Sequence, residues 1–339
     1  ETLREHLYFS QMVVGGGEHE TRTGVSRIKR IVDDWAPAAD TTHLLGFEWC
    51  YLWAVSTRGS LVVEVGVKAC VESLPGIHRV LTTRGDRILL RDPTTLRVTK
   101  TLATGLRDSN QMTGVNAARV DCSADGQRVA GPVSDKQLGV WDVATGERIA
   151  EFEFANYVRG VALDRGGSLA AVGLIKNYEI MDVDGGSRVA VLPHPRATAG
   201  CCAFSPDGRW LATMDMVAAR VWDTSTWQLA AEFVDGMDFV TELAWSPDST
   251  KLSACDQKGR VLVWDLGRTE LLRRFHAHSN RCNRIAWHPD GQRLATASGD
   301  HTISIANLAT GEVELLRGHS GPVVSVLWDQ GGRRLVSTG

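Results

Sequence analysis

The sequence contains no apolar run that approaches the roughly 20 residues a membrane-spanning helix needs. Its N-terminus also lacks the charged-then-apolar layout of a secretory signal. The formal net charge of −3 leaves no overall positive field, which disfavours nucleic-acid binding driven by charge. These absences together predict a cytoplasmic protein with neither a membrane nor a nucleic-acid partner.

A disulfide framework is also missing. The chain has seven cysteines, an odd number, and two of them, Cys201 and Cys202, are adjacent. Most of the cysteines fall inside predicted strands, where a free thiol behaves as a small buried hydrophobic group. We therefore predict that the cysteines are free and serve packing.

Motifs of catalysis and metal binding are equally scarce. The sequence has no phosphate-binding Gly-x-x-x-x-Gly-Lys-Ser/Thr, no Gly-x-Ser-x-Gly and no His-Glu-x-x-His. His276, His278 and Cys282 are spaced like metal ligands, but a zinc site needs four and no fourth lies at a useful spacing. The sequence predicts a non-enzymatic protein with no catalytic residues, no metal and no cofactor.

What the sequence does contain is one short pattern, present six times from residue 119 onward. Each copy is an apolar strand, a turn of the Pro-Asp-Gly kind and a second apolar strand. The last position of the turn recurs at steps of 41, 41, 41, 42 and 41 residues. Those positions are Gly126, Gly167, Gly208, Ser249, Gly291 and Gly332. A fixed period of this length indicates a repeat architecture in which each unit forms one small sheet.

The third strand of each unit ends on an acidic or amide residue. Trp-Asp pairs stand at 141–142, 222–223 and 264–265, and Gly318 precedes His319. With these pairs, about residues 49–339 resemble the WD-repeat β-propeller family. The resemblance implies an all-β fold in which four-stranded antiparallel blades stack radially and bury both faces of each sheet.

We expect seven blades. Six full blades run from Val67 to about Leu316. The seventh would take its inner strands from 323–338 and its outer strands from 49–65, so the N- and C-terminal strands share one blade and close the ring. The alternative is a chain that stops in the middle of a blade.

Residues 1–48 do not carry the repeat and form a predicted N-terminal extension. Residues 5–12 are similar to a protease-cleavage tag. Apolar residues then recur at i, i+3, i+4 and i+7 from Ile28 to Trp35, which indicates a short amphipathic helix. This helix either packs on its own domain or forms a partner-binding arm.

Blades of this family often contain a buried His–Ser/Thr–Asp–Trp hydrogen-bond network. By resemblance, the sixth blade keeps most of it as His278, Ser298 and Asp300, with Ala306 in place of the tryptophan. Fragments remain as Asp135 with Trp141, Trp264 with Asp256, and His319 with Trp53. The implied role is structural, because removing one member leaves a buried polar partner unsatisfied.

The family's usual partner face is built from the loops that join the second strand to the third and one blade to the next. Carried onto this chain, the resemblance nominates loop residues Lys136, Lys176, Asn177, Met216, Lys258 and His301. It also nominates Met237 between two blades, and Asp108 and Asn110 in a polar insertion at 105–114.

These features together predict a non-catalytic protein-interaction scaffold that binds a protein or peptide through loops on one face. It would act as a whole protein or as the recognition module of a larger multidomain protein, such as a signalling ATPase. The alternative is a propeller enzyme or small-ligand sensor with its site at the central channel.

Overall fold

The structure is a computed structural model that describes the strands between residues 52 and 104 and the chain from residue 120 onward, with gaps at 194–199, 216–217, 238, 330, 334 and 339. Every regular element in the described part is a β-strand. Residues 51–339 group as one compact unit. The predicted helix at 28–35 and the insertion at 105–114 lie outside the described residues.

Six four-stranded antiparallel sheets follow one another along the chain, and each is one blade. Blade 1 is β3–β6 (Val71–Leu74, Arg79–Arg84, Arg87–Arg91, Val98–Thr104). Blade 2 is β7–β10 (Asp121–Cys122, Arg128–Ser134, Gln137–Asp142, Arg148–Glu153). Blade 3 is β11–β14 (Gly160–Leu163, Leu169–Gly173, Asn177–Asp182, Arg188–Pro193).

The next three blades have the same composition. Blade 4 is β15–β18 (Cys202–Phe204, Trp210–Met214, Ala219–Asp223, Leu229–Phe233). Blade 5 is β19–β22 (Val240–Trp245, Lys251–Asp256, Arg260–Asp265, Glu270–His276). Blade 6 is β23–β26 (Cys282–Trp287, Arg293–Ser298, Thr302–Asn307, Val313–Arg317). Two strand pairs complete the fold: β1–β2 (Leu52–Val55, Ser60–Val63) and β27–β28 (Ser325–Trp328, Leu335–Thr338).

The first strands of the sheets form a ring. Strand β3 lies beside β7, β7 beside β11, and the succession continues through β15, β19 and β23 to β27. Strand β27 lies beside β3, so the succession returns to its beginning. The predicted β-propeller is therefore confirmed, with β27 and β28 as the two inner strands of a seventh blade.

The N-terminal strand pair meets the C-terminal pair at this seventh blade. Cα atoms of β2 lie within 8 Å of β28, although no hydrogen-bonded ladder joins these two strands within the described part of the chain. Strand β2 runs alongside β28. Strand β1, which contains Trp53, pairs with β2. The predicted pairing of His319 with Trp53 assumed instead that residues 52–55, which align with the Trp-Asp strand at 140–142, take the third-strand position next to the C-terminal strands.

The repeated Pro-Asp-Gly turns close through their own side chains. In blade 4, the Ser205 hydroxyl donates to the Asp207 carboxylate at 2.5 Å, and the Trp210 backbone N–H donates to Ser205 Oγ at 2.9 Å. Gly208, the residue after Asp207, has a φ of 79°, a left-handed conformation that glycine adopts without a Cβ clash. These local bonds explain why the same short sequence recurs at each hairpin.

The hydrophobic core lies between neighbouring blades. At the interface of blades 4 and 5, Trp245 and Trp264 are buried, and the Trp264 ring stacks on Phe233 with centroids 5.4 Å apart. Cys255 and Cys282 are fully buried in the next interface. Every cysteine in the described part has a free thiol, as predicted.

Candidate functional site

The propeller has two faces with different loops. Within the described part of the chain, the upper face includes turns between second and third strands (135–136, 174–176, 257–259 and 299–301). It also includes connections between blades (154–159, 234–237 with 239, 277–281 and 318–324). The Val158 N–H donates to the Asp135 carbonyl at 2.8 Å, and the Val323 N–H donates to the Ser298 carbonyl at 2.9 Å. These bonds tie each connection to a neighbouring turn, so the two kinds of loop form one surface.

Four of the predicted partner-binding residues occupy equivalent places on the upper face. Lys136, Lys176, Lys258 and His301 are exposed and stand in the turns of blades 2, 3, 5 and 6. Asn177 follows Lys176 as the half-buried first residue of β13. The structure thus brings these residues to one surface, and their binding role stays a prediction.

The turn that carries Lys258 is held in place by the neighbouring connection. The Gly259 carbonyl accepts hydrogen bonds from the Ala277 N–H at 3.0 Å and the His278 N–H at 3.2 Å. A Cβ at position 259 would lie 2.3 Å from the His278 carbonyl oxygen, and the φ of Gly259 is 73°. Only glycine fits this contact, so the backbone that presents Lys258 is fixed by packing.

Other predicted partner residues have different outcomes. Met237 is 6% exposed and packs with Leu243, Leu252 and Trp264, so its assignment to the binding surface is wrong. An apolar side chain in a connection can reach the core between two blades, which its sequence position alone does not reveal. Met216, Asp108 and Asn110 lie outside the described residues.

Two carboxylates close to the upper face, Asp215 and Asp256, are buried and paired with arginine. The Asp215 side chain is 1% exposed and bonds Arg220 at 2.6 Å, and Arg220 also bonds Glu232 at 2.7 Å. The fully buried Asp256 bonds Arg260 at 2.7 Å. These two acids are neutralised within the blades, whereas Lys258, two residues after Asp256, faces solvent.

The lower face, made of the remaining turns, carries exposed charges of both signs, including the cations Arg165 and Arg268. The exposed acids there include Asp125, Asp184, Asp207 and Asp248. Burial alone would raise the pKa of Asp248, but hydrogen bonds from Ser246 and Thr250 and the charge of Lys251 hold it at about 2. This carboxylate is therefore ionised throughout the neutral range.

The predicted hydrogen-bond network exists in blade 6 with one change of member. The Nδ1 atom of His278 lies 3.2 Å from Asp300 Oδ2, and its Nε2 atom lies 2.8 Å from Thr296 Oγ1. Thr296 Oγ1 in turn lies 2.6 Å from Ser304 Oγ. Ser298, the predicted member, donates instead to the Arg281 carbonyl at 2.9 Å. Thr296 and Ser298 point to the same side of β24, and Thr296 is the one placed opposite Ser304.

The protonation of this network follows from burial. Burial lowers the pKa of His278 despite the nearby Asp300 carboxylate, so the ring is neutral at neutral pH. The neutral imidazole donates from Nδ1 to the Asp300 carboxylate and accepts at Nε2 from the Thr296 hydroxyl. The Thr296 hydroxyl then accepts a hydrogen bond from the Ser304 hydroxyl. The Thr302 hydroxyl also donates to Asp300, at 2.6 Å. The chain of bonds is complete within the blade, which is the structural role that the resemblance implied.

Other blades keep shorter versions of the network. His319 Nε2 lies 2.8 Å from Ser337 Oγ, at the 18-residue spacing that also separates His278 from Thr296. In blade 4, which the sequence reading had not included, the Trp222 indole N–H donates to Thr213 Oγ1 at 2.8 Å. These pairs fasten the second strand of a blade to a neighbouring element.

Of the two tryptophan–aspartate pairs predicted for blades 2 and 5, the structure contradicts the one in blade 5. Trp264 donates to the Asp235 carboxylate at 2.5 Å rather than to Asp256, which pairs with Arg260, so that predicted pair is wrong. The partner comes from the connection before blade 5, 29 residues away. Trp141 is buried between blades 1 and 2, and its predicted link to Asp135 stays a prediction.

Exposed apolar side chains of the upper face were missed by sequence reasoning. Tyr157 is 48% exposed, Val234 60% and Phe239 42%. Phe239 also has a φ of 46°, which is uncommon for a residue with a bulky side chain. A visible signal existed, because aromatic residues in otherwise polar connections are candidates for interfaces.

The half-buried carboxyl of Asp121 joins the first strands of blades 2 and 3. The Leu163 N–H donates to Asp121 Oδ2 at 2.8 Å. Burial raises the pKa of Asp121 to about 6, against the lowering effect of hydrogen bonds from the Leu163 and Cys122 backbones. Burial likewise raises the pKa of the nearby Cys202 thiol, which disfavours its nucleophilic form.

The described residues contain neither a cluster of metal ligands nor a helix that could span a membrane. There, no three His, Cys, Asp or Glu side chains converge as metal ligands. His278, which the sequence places in a ligand-like run, is bonded within the blade network instead. No helix in that part is long and apolar enough to cross a membrane.

Comparison with known proteins agrees with the architecture. A family model described as "WD domain, G-beta repeat" matches residues 186–216, 230–265 and 269–307. A similar solved structure is the β-propeller domain of Cps50 (Swd1) from Myceliophteria thermophila, at a TM-score of 0.66 and 17% sequence identity. That similarity covers 78% of this chain and 90% of the other and concerns the fold alone. No curated protein matches this sequence.

Proposed function

Because this chain is a WD-repeat protein folded as a β-propeller, we propose that it is a non-catalytic scaffold that binds a protein or peptide through its upper face. The observation that carries the proposal is the placement of Lys136, Lys176, Lys258 and His301. They are exposed at equivalent turns of four blades, and the turns of Lys136, Lys258 and His301 are hydrogen-bonded to the connections beside them. Loops on such a rigid frame suit binding, because their backbone needs little ordering when a partner docks.

The chemistry inside the blades supports the same proposal. The His278 network and the Asp215–Arg220 pair are satisfied internally and buried. Groups of this kind stabilise the frame and do not face a substrate. The free cysteines fit a reducing compartment, and we propose the cytoplasm as the location.

Capture from the cytosol of the native organism tests the proposal. The upper-face variant carries Lys136→Ala, Lys258→Ala and His301→Ala, three exposed turn residues. The matched control carries Arg165→Ala, Arg268→Ala and Arg333→Ala, three exposed cations of the lower face. We expect the control to retain a stoichiometric partner that the upper-face variant loses.

Two results contradict the proposal. One is equal capture by the upper-face variant and the wild type, which would remove the upper face from the assignment. The other is turnover of a substrate from a hydrolase panel that disappears when a chelator is added, which would establish an enzyme. Unfolding curves of both variants are recorded first, so that loss of capture is not confused with loss of fold.

A further inference from the structure

Two exposed aromatic residues of the upper face occur beside two of its exposed lysines. Tyr157 lies in the connection after β10, and the neighbouring Val158 and Phe154 N–H groups donate to the Asp135 and Lys136 carbonyls, each at 2.8 Å. Phe239 lies in the connection before β19, and its carbonyl accepts from the Gln257 N–H at 3.2 Å, next to Lys258. The same pairing of an exposed ring with a lysine-bearing turn therefore appears in two separate blades.

The connection that carries Phe239 is anchored at several points. Met237 is buried in the core between blades 4 and 5, and the Asp235 carboxylate accepts from the Trp264 indole. The Asp235 carbonyl accepts from Arg274 at 3.1 Å. A connection fixed in this way holds the Phe239 ring and the Val234 side chain partly in solvent instead of burying them.

The backbone at Phe239 is strained as well. A φ of 46° places a bulky residue in the left-handed region, at a cost of roughly 1 kcal/mol or more. Glycine or asparagine would adopt this conformation more easily. The sequence instead places an aromatic ring there, at 42% exposure. Exposed aromatic rings with little freedom to move are typical anchors of protein interfaces.

The charges beside the rings define the complementary partner. The turn tips next to both rings carry exposed lysines, while the acids Asp215 and Asp256 are buried in ion pairs. Glu153, at the end of β10, is an exposed carboxylate of this face. Resting on the proposed function, we infer that the upper face docks an acidic protein segment whose apolar side chains contact Tyr157 and Phe239 while its carboxylates pair with Lys136 and Lys258.

Selection from a displayed library of random 12-residue peptides tests this inference on the full chain. We expect the enriched peptides to be rich in Asp and Glu around a Leu, Ile, Phe or Trp. The affinity of the best enriched peptide, made synthetically, is then measured against variants. Phe239→Asn removes the ring but keeps the left-handed backbone accessible, and Lys258→Gln removes the charge.

Each of these variants should weaken the peptide by about tenfold, the usual effect of an interface anchor. Lys258→Arg keeps the charge and should stay within about twofold of the wild type. Tyr157→Ser and Lys136→Gln test the second pair in the same way. The matched controls are Leu229→Ser, 48% exposed on an outer strand, and Arg268→Gln on the lower face, and both should bind like the wild type.

Three results of the selection would overturn this inference. The enriched peptides could be neutral or basic, no peptide could be enriched, or the protein could bind single-stranded poly(U) RNA more tightly than any peptide. Equal binding by the Phe239→Asn and Lys258→Gln variants would do the same. The scaffold proposal is judged separately by capture from cytosol. A partner that is lost in the upper-face alanine variant but carries no acidic segment leaves the scaffold standing and removes only the acidic docking mode.

Discussion

At the scale of single residues, the aspartate of the Trp-Asp pair serves the turn that follows it. Asp142 Oδ1 accepts the Thr145 N–H at 2.7 Å, and Asp265 Oδ1 accepts the Arg268 N–H at 2.9 Å. Asn307, which stands in place of the aspartate in blade 6, accepts the Ala309 N–H at 2.9 Å. An amide oxygen can accept this bond as a carboxylate does, so the recurring position is explained by turn formation and not by catalysis.

The blade 6 network gives a prediction about two neighbouring hydroxyl groups. Thr296→Val removes the hydroxyl that bonds both His278 Nε2 and the Ser304 hydroxyl, all of them buried, and should cost about 2–3 kcal/mol of unfolding free energy. Ser298→Ala affects backbone groups of Arg281 and Asp300, which are half-buried and near water, and should cost about 1 kcal/mol. Urea unfolding at neutral pH measures both, and an equal or larger cost for Ser298→Ala would contradict the observed network.

Asp121 gives a prediction about pH. Its pKa of about 6 in the folded protein exceeds the unfolded value of about 3.8, so the folded state holds the proton more tightly. Stability should therefore fall as pH rises from about 4 to about 6 and then level off. Asp121→Asn keeps an oxygen that can accept the Leu163 N–H and removes the charge, so it should stabilise the protein by about 2–3 kcal/mol at pH 7.5.

The pH dependence supplies the control for that variant. The gain from Asp121→Asn should shrink towards zero near pH 4, where the wild-type carboxyl is protonated in the folded state. Thermal unfolding of wild type and variant at both pH values measures the difference. A constant difference at pH 4 and pH 7.5, or a loss of stability at pH 7.5, would show that the carboxyl is not destabilised by burial.

At the scale of the structural element, one hairpin turn departs from the repeat. Ser249 stands where five other turns have glycine, and it keeps the left-handed conformation with a φ of 60°. Its hydroxyl accepts the Asp207 N–H of the preceding blade at 3.1 Å. The serine side chain therefore forms a hydrogen bond between two blades, and the backbone at this position is strained.

Two substitutions at Ser249 separate these effects. Ser249→Ala loses the bond and keeps the strain, whereas Ser249→Gly loses the bond and relieves the strain, so the glycine variant should be more stable by about 1 kcal/mol. Gly208→Ala, at a φ of 79° in the equivalent turn, adds the strain alone in open space and should cost about 1 kcal/mol. Equal stability of the two Ser249 variants would mean that the turn stores no strain.

The strands and connections also show which features of the fold the sequence could predict. The 41-residue period and the alternation of apolar residues predicted the blades, because each hairpin is set by local bonds such as Ser205 to Asp207. The choice between Thr296 and Ser298 was not predictable, because residues two apart share one side of a strand and only the pairing register separates them. Likewise, the Asp235 partner of Trp264 comes from another connection, which no local pattern indicates.

At the scale of the whole molecule, the net charge conceals two different faces. The value of −3 is close to neutral, yet the upper turns carry exposed lysines, whereas the lower turns mix exposed aspartates with exposed arginines such as Arg165 and Arg268. The composition could not reveal this separation, because the side on which a turn lies depends on its position in the blade. The burial of Met237 and the exposure of Phe239 were hidden for the same reason, since both lie in one short connection.

The proposed function separates residues that build the ring from residues that bind a partner. Its most direct test is one measurement, partner capture per folded molecule, applied to the Thr296→Val variant and to the upper-face alanine variant alongside their melting temperatures. We predict that Thr296→Val melts at a lower temperature but captures the partner normally when folded, and that the upper-face variant melts like the wild type but loses the partner. Normal capture by the upper-face variant would contradict the central claim.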